Sequence, residues 1–478
     1  MAAMEEEYYS HFPSDLDLSF TSCTSTTSAR SSLARSSLTL SFNESRLSSS
    51  TSTAATTPRY SRPHRSSDPH WAAIKAATNI SSDGKLHLRH LNLLRHLGTG
   101  NLGRVFLCRL RDYEHANFAL KVVDKDSLTS KKLSHVQMEA QILSMLDHPF
   151  LPTLYAHLNV SHYACLLIDY CPGGDLHSLL RRQPNNRLSL QAVRFFAAEV
   201  LVALEYLHAL GVVYRDLKPE NVLIREDGHI MLSDFDLCFM ADVAPTLQQS
   251  RAHRTTRSRS FNCLGSVPTK LDREERAAEF VAEPTTAFSR SCVGTHEYLA
   301  PELVSGSGHG SGVDWWAFGV FIYELLHGTT PFRGGSKEGT LRNIVSSRQV
   351  RFHVAEREKE EARDLIEKLL VKDPRRRLGY ARGATDIKRH PFFDGIKWSL
   401  IRNYRPPEVR GLARRGKTHV GHVSAGATHK RRQRWWWKRV GLFSLKKKKA
   451  SRCNSTHNSN YYHYVSDNNS HNNNNSHI

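Results

Sequence analysis

From Leu91 to Phe393 apolar positions recur at strand or helix spacing with little interruption, and on either side of that span the pattern stops. In "LNLLRHLGTGNLGRVFLC" apolar residues lie before (Leu93, Leu94) and after (Val105, Phe106, Leu107) a glycine-rich turn, which predicts strand–turn–strand. "FALKVVD" alternates as a third strand. In "SHVQMEAQILSML" the positions Val136, Ile142, Leu143 and Leu146 share helical spacing. The longest apolar stretch, "AVRFFAAEVLVALEYLHALGVV", is broken by Arg194, Glu199, Glu205 and His208, which predicts a buried amphipathic helix rather than a membrane span.

Outside this span the composition changes. Roughly the first 85 residues are dominated by Ser, Thr and Arg, with no sustained periodicity. Such a segment buries too little apolar area to offset its ordering entropy, so residues 1–90 are expected to be a disordered extension. The folded span is 91–393, with an insertion at about 240–284; residues 394–412 extend it, and 413–478 form a basic, aromatic and finally Asn-rich tail. About 300 residues suit one large domain. The formal net charge is +20, and residues 410–452 contain fifteen Lys or Arg and no acid, so the charge has to be explained mainly in the tail. The eight cysteines form no C-x-x-C or Cys/His cluster, which predicts reduced thiols. "MAAMEEEYYS" is acidic and lacks the apolar run of a signal peptide, so a soluble intracellular protein is expected.

The candidate chemistry begins at Gly98, Gly100 and Gly103, a G-x-G-x-x-G turn. Alone it is weak, because a dinucleotide-binding turn has the same glycines; between two strands it can lie over nucleotide phosphates. Lys121 stands on the next strand, eighteen residues beyond Gly103, where it can reach the α- and β-phosphates. Glu139, on the following helix, can pair with Lys121 or can be a surface glutamate. "VVYRDLKPENVLI" and "LSDFDLCF" decide between these readings. Phosphoryl transfer needs positioning and charge neutralisation. Asp216 would orient the substrate hydroxyl and Lys218 would steady the transferring group. Asn221 and Asp234 would hold Mg²⁺ against the phosphates of ATP. "GTHEYLAPE" (294–302) and "DWWAFGVFIYELLHGTTPF" (314–332) follow in order.

By these motifs the chain resembles the protein kinase superfamily over about Leu91–Phe393. "YRDLKPEN" is the Ser/Thr-kinase form, and "LLVKDPRRRLG" with "HPFF" is similar to the AGC group. D-F-D at 234–236, the long insertion, "ARSSLARSSLTLSF" and "PPEVRGL" resemble the plant AGC VIII class, in particular the WAG kinases related to PINOID. The resemblance implies an α+β bilobal fold with a small β-rich lobe, a large helical lobe and an AGC C-terminal extension at 394–412. It implies Val105, Ala119 and Leu223 around adenine, backbone contacts from Asp169 and Cys171 at the hinge, and Asp175 at the ribose edge. Asp175, Glu220 and Glu324 match acids that receive arginines ahead of the target residue in basophilic relatives. Ser291 matches the activating phosphosite, with Ser289 a second candidate and Arg215 the partner of the added charge. Relatives are often phosphorylated there by a phosphoinositide-dependent kinase docking on a C-terminal F-x-x-F, which this chain lacks.

Glycine in D-F-G mainly lets the backbone flip, whereas Asp236 stiffens the hinge and leaves Asp234 in place, so an active enzyme is expected. The basic serines Ser32, Ser37, Ser258 and Ser260 are either autophosphorylation sites or linker text. "HKRRQRWWWKRVGLFSLKKKK" (429–449) combines cations with three indoles, which favours an anionic membrane surface. Nuclear import or nonspecific nucleic-acid binding are the rivals, to which a tryptophan triplet adds nothing. The resemblance implies auxin efflux carriers as substrates, at the cytoplasmic face of the plasma membrane and in the cytosol. A membrane-associated pseudokinase scaffold and a basic adaptor are the alternatives. No oligomerisation device is visible, so a monomer is expected.

Overall fold

The computed structural model describes residues 68–79, 81–111, 113–249, 278–346, 349–352 and 360–412. A five-stranded antiparallel sheet opens the fold, in the order β1-β2-β3-β5-β4. Its strands are β1 (Leu91–Thr99), β2 (Arg104–Leu110), β3 (Tyr113–Asp124), β4 (Leu154–Asn159) and β5 (Tyr163–Asp169). Gly98 faces Val105 across β1 and β2, and Val105 faces Lys121 across β2 and β3, so the register carries the glycine turn over the lysine. Helix α2 (Ser130–Met145) starts at Thr129, whose side chain accepts the Lys132 amide, and buries Val136, Glu139, Ala140, Ile142 and Leu143. Four of these five are apolar; the fifth is the candidate acid.

One expectation is corrected. Residues 69–79, which the sequence placed in a disordered extension, form helix α1 (Pro69–Asn79). Proline occupies its first position, where no N–H is needed, and Asp68 accepts the His70 amide at 2.9 Å. Ala73 and Ile74 are buried in a cluster with Phe118 and Tyr155 of the sheet, so tertiary packing holds a helix that is too short to announce itself. Residues 1–67, with Ser32 and Ser37, lie outside the described residues.

The larger lobe is helical. Its axis is α4 (Leu190–Ala209), the helix its spacing predicts, against α6 (Gly312–His327). α6 is apolar on all sides and buries Trp315, Trp316, Phe318 and Phe321, as a core helix must. It stops at Gly328, whose φ of 74° is left-handed. Around it lie α3 (Leu176–Arg181), α5 (Pro301–Val304), α7 (Lys337–Val345), α8 (Glu360–Leu369) and α9 (Ala384–Lys388). Two small antiparallel strand pairs carry the chemistry between the lobes: β6 (Val212–Val213) with β9 (Phe239–Met240), and, between them in the chain, the hairpin of β7 (Val222–Ile224) with β8 (Ile230–Leu232).

The insertion is closed at its base by a ribbon of β10 (Thr246–Gln249) and β11 (Ala278–Val281). Residues 250–277, with Ser258 and Ser260, lie outside the described residues, as does the whole tail from 413, including 429–449. The extension returns along the helical lobe, burying Ile401 and accepting a hydrogen bond from Gln183 Nε2 on the Arg410 carbonyl at 2.8 Å. Among the described residues, Cys108, Cys165, Cys171, Cys238 and Cys292 are free thiols, and no helix is long and apolar enough to cross a membrane.

Candidate active site

Lys121, from β3, extends its Nζ to Glu139 Oε1 and Oε2 at 2.6 and 2.8 Å, and to Asp234 Oδ1 at 3.2 Å. Burial alone would discharge this lysine, but the carboxylates of Glu139, Asp234 and Asp236 outweigh it and hold the ammonium charged. Of the three glycines above it, only Gly103 is forced by packing: a Cβ there would lie 2.4 Å from the Val122 carbonyl oxygen. Gly98 faces open space and Gly100 meets only the Gly103 carbonyl at 3.9 Å, so the turn lies against β3 and leaves room on its other side. The unencumbered Gly98 and Gly100 and the charged Lys121 suit a phosphate-bearing ligand.

The second cluster is built on the segment between β6 and β7. Asp216 Oδ2 accepts Lys218 Nζ at 2.6 Å and Asn221 Nδ2 at 2.9 Å, while Oδ1 accepts Thr295 Oγ1 at 3.1 Å. Lys218 Nζ also reaches Thr295 Oγ1 at 2.9 Å. Thr295 falls within "GTHEYLAPE", where its role is not legible: the contact spans 79 positions, and a threonine beside glycine carries no local signal of it. Beneath them, Asp314 of α6 accepts the amides of Tyr214 and Arg215 at 2.8 and 2.7 Å. Arg215 is thereby held at a φ of 67°, a left-handed state that a non-glycine residue adopts only under such constraint. Its guanidinium donates to the Leu237 carbonyl at 2.6 Å and to Ser289 Oγ at 3.4 Å. Of the two candidate phosphosites, then, Ser289 is the one that Arg215 touches; the Ser291 amide donates to Ser289 Oγ at 3.2 Å.

The D-F-D turn has a physical explanation. The left-handed backbone falls on Asp234, at φ 58°, and not on Asp236. Position 236 therefore does not require glycine in this conformation. Asp236 is 4% exposed; burial and the neighbouring Asp234 charge, opposed by Lys121, push its carboxyl up to about 7. Its carbonyl accepts His135 Nδ1 of α2 at 2.9 Å, which ties the turn to the helix that carries Glu139. Asp236→Gly should keep kcat on a serine peptide within about threefold of the parent, since Gly restores freedom without removing a ligand. A loss beyond about tenfold would show the carboxyl to act in the reaction itself.

The remaining candidates are spread around these clusters. Val105 and Ala119 stand on β2 and β3, and Leu223 on β7 of the other lobe, where it bridges to Asp175. Cys171 is buried with Sγ 3.8 Å from Met231 Sδ. The carboxylate of Asp169 accepts the Thr153 amide at 2.7 Å and the Tyr155 hydroxyl at 3.1 Å, leaving only its backbone for the hinge. Asp175 caps α3, accepting the Ser178 amide at 2.7 Å. Glu220 is exposed and lies 3.1 Å from His177 Nδ1; Glu324 accepts the Tyr298 hydroxyl. Burial and then the charges of Glu220 and Glu297 raise the Glu324 carboxyl, so these acids share one electrostatic patch.

The protein kinase domain family matches residues 91–256 and 277–393. The chain is 66% identical over 448 residues to the serine/threonine-protein kinase WAG1 of Arabidopsis thaliana, covering 90% of this chain and 92% of that protein. To WAG2 of the same plant it is 66% identical over 443 residues, covering 90% and 91%. To the protein kinase PINOID of rice (Oryza sativa subsp. japonica) it is 46% identical over 434 residues, covering 86% and 88%. With the paired lysine and the buried aspartate cluster in place between a sheet lobe and a helical lobe, the chain belongs to the protein kinase family, as a serine/threonine kinase of the plant AGC VIII type related to WAG and PINOID.

Proposed function

We propose that this kinase transfers the γ-phosphate of ATP to Ser or Thr preceded by arginine, on membrane transport proteins of which auxin efflux carriers are the candidates, and so regulates polar auxin transport. The observation that carries the reading is the assembled pair of clusters, Lys121–Glu139–Asp234 and Asp216–Lys218–Thr295. Asp216 aligns the incoming hydroxyl and takes up its proton, Lys218 offers positive charge to the transferring group, and Lys121 holds the phosphates. Asn221 and Asp234 would hold Mg²⁺ through their side-chain oxygens, and its charge would neutralise the phosphates. The carrier substrates rest on kinship with PINOID-type kinases. The basic preference rests on the patch of Glu220 and Glu324, and attachment to an anionic inner leaflet rests on the cations and indoles of 429–449.

The test is phosphate transfer to a basic serine peptide, to its Arg→Ala version and to the hydrophilic loop of a carrier. Glu220→Ala with Glu324→Ala should narrow the preference for the arginine peptide by about fivefold, the worth of two partly solvated pairs. An unchanged preference would place arginine recognition elsewhere. Sedimentation with phosphatidylserine vesicles checks the attachment: a tail with its Lys and Arg changed to Gln should stay in the supernatant.

A further inference from the structure

The insertion leaves and re-enters the core at one place, the C-terminal end of α4. On the way out, the Ala241 amide donates to the Gly211 carbonyl at 2.8 Å. A Cβ on Gly211, whose φ is 79°, would lie 2.1 Å from the Ala241 carbonyl oxygen, so the approach is possible only for glycine. On the way back, β11 ends at Val281, and two residues later Glu283 turns its carboxylate inward, 7% exposed. Glu283 Oε2 lies 2.8 Å from His208 Nδ1, and His208 Nε2 lies 2.8 Å from Asp314 Oδ2. Asp314 is the residue that accepts the Tyr214 and Arg215 amides. A continuous line of buried hydrogen bonds thus joins the exit of the insertion to the two residues before Asp216. Glu283 also sits in a fitted slot: Gly383 is left-handed at φ 53°, and a Cβ there would lie 1.6 Å from Glu283 Oε1.

We propose that Glu283 is a positioning residue through which the insertion sets the catalytic loop, by keeping His208 a doubly donating imidazolium that orients Asp314 toward the Tyr214 and Arg215 amides. The inference holds whichever protein is the substrate. His208 is fully buried, and both of its ring nitrogens face carboxylates; a neutral ring would leave one carboxylate without its donor. Among the described residues, the charged groups facing the ring are Glu283 after β11 and Asp314 on α6, with Trp315 packed edge-on at 4.7 Å. On the far side of Glu283 a cavity of about 270 Å³ is lined by His148, Glu205 and Arg382. Of these, Glu205 pairs with Lys388 and Arg382 with Asp386, and His148 stacks on Tyr206. Burial alone would push His208 down, but the Glu283 charge and the hydrogen bonds that the ring donates to Asp314 and Glu283 outweigh it and hold the ring at about 10. The stability this charge contributes is complete below the ordinary histidine value of 6.5 and is lost only as pH rises through about 10. The parent enzyme therefore keeps the link across the neutral range. Removing the Glu283 charge should bring the loss into it.

Full-length parent, Glu283→Gln, Gly383→Ala and His208→Gln proteins are compared on a basic serine peptide, with kcat, KM for ATP and unfolding temperature measured from about pH 6 to about pH 9. Relative to the parent, Glu283→Gln should keep kcat within about threefold at the acid end and lose about tenfold at the alkaline end, with KM for ATP within about twofold. Gly383→Ala, which changes no charge but evicts the carboxylate from its slot, should show the same alkaline loss. His208→Gln should lose kcat by a factor that does not change with pH. The proposal is overturned if Glu283→Gln follows the parent at every pH. It is equally overturned if Glu283→Gln loses kcat by one constant factor together with a lower unfolding temperature, which would make Glu283 a packing residue only.

Discussion

Asp216→Asn should lower kcat on a serine peptide by about 10²- to 10⁴-fold, with KM for ATP within about threefold of the parent. The substitution keeps the shape of the side chain but not its acceptor pattern. Oδ2 takes two donors, Lys218 Nζ and Asn221 Nδ2, and Oδ1 takes Thr295 Oγ1. An amide oriented with its oxygen toward Lys218 and Asn221 turns an NH₂ toward Thr295; flipped, it turns that NH₂ toward two other donors. In either orientation it cannot take up the hydroxyl proton. ATP affinity should hold because the phosphate-facing ammonium, Lys121, draws its partners from Glu139 and Asp234. Steady-state kinetics with the variant in Mg²⁺ checks this; a kcat within tenfold of the parent would remove Asp216 from the reaction.

What the sequence makes legible and what it hides differ by the range of the contact. Asp216, Lys218 and Asn221 lie within five positions of one another, and their cluster could be placed from one short motif. Lys121 and Glu139 are 18 positions apart, on a strand and a helix whose periodicities are plain, and they meet at 2.6 Å. His208 is the contrary case. Along the chain it reads as one of four polar interruptions in an apolar helix, yet its partners stand 75 and 106 positions away. Glu283 lies at the end of the insertion, and nothing in the local sequence shows that its carboxylate is buried. Helix α1 was hidden for a related reason: its stability comes from Phe118 and Tyr155 rather than from its own spacing. The D-F-D turn was legible as tolerable, but the cause, a left-handed Asp234 beside an ordinary Asp236, is a backbone property that composition does not carry. The choice between Ser289 and Ser291 as the partner of Arg215 turns on register. Ser289 pairs with His309 in an antiparallel bridge, and that brings its hydroxyl to the guanidinium.

The largest effect on stability is expected at Arg377. It is 2% exposed and clamps Glu302 with two bonds, Nη1 to Oε1 at 2.7 Å and Nη2 to Oε2 at 2.9 Å. Nη1 also donates to the Gly312 carbonyl at 2.8 Å, Nε donates to Val371 at 3.1 Å, and the guanidinium lies 5.2 Å from the centre of the Trp316 ring. One side chain thus joins α5, the start of α6 and the turn after α8. Bringing the two charges out of water is expensive, and their attraction repays it only while both are present. Arg377→Met should therefore destabilise by about 3–5 kcal/mol, because it leaves the Glu302 carboxylate buried without its partner. In a domain of this size that corresponds to a fall in Tm of very roughly 6–20 °C. Arg377→Met combined with Glu302→Met fills similar volume with no charge and should unfold at a higher temperature than Arg377→Met alone. Thermal unfolding of the two variants checks this. If the double variant is the less stable, the pair contributes through its fork of hydrogen bonds to backbone and ring rather than through the matching of two buried charges.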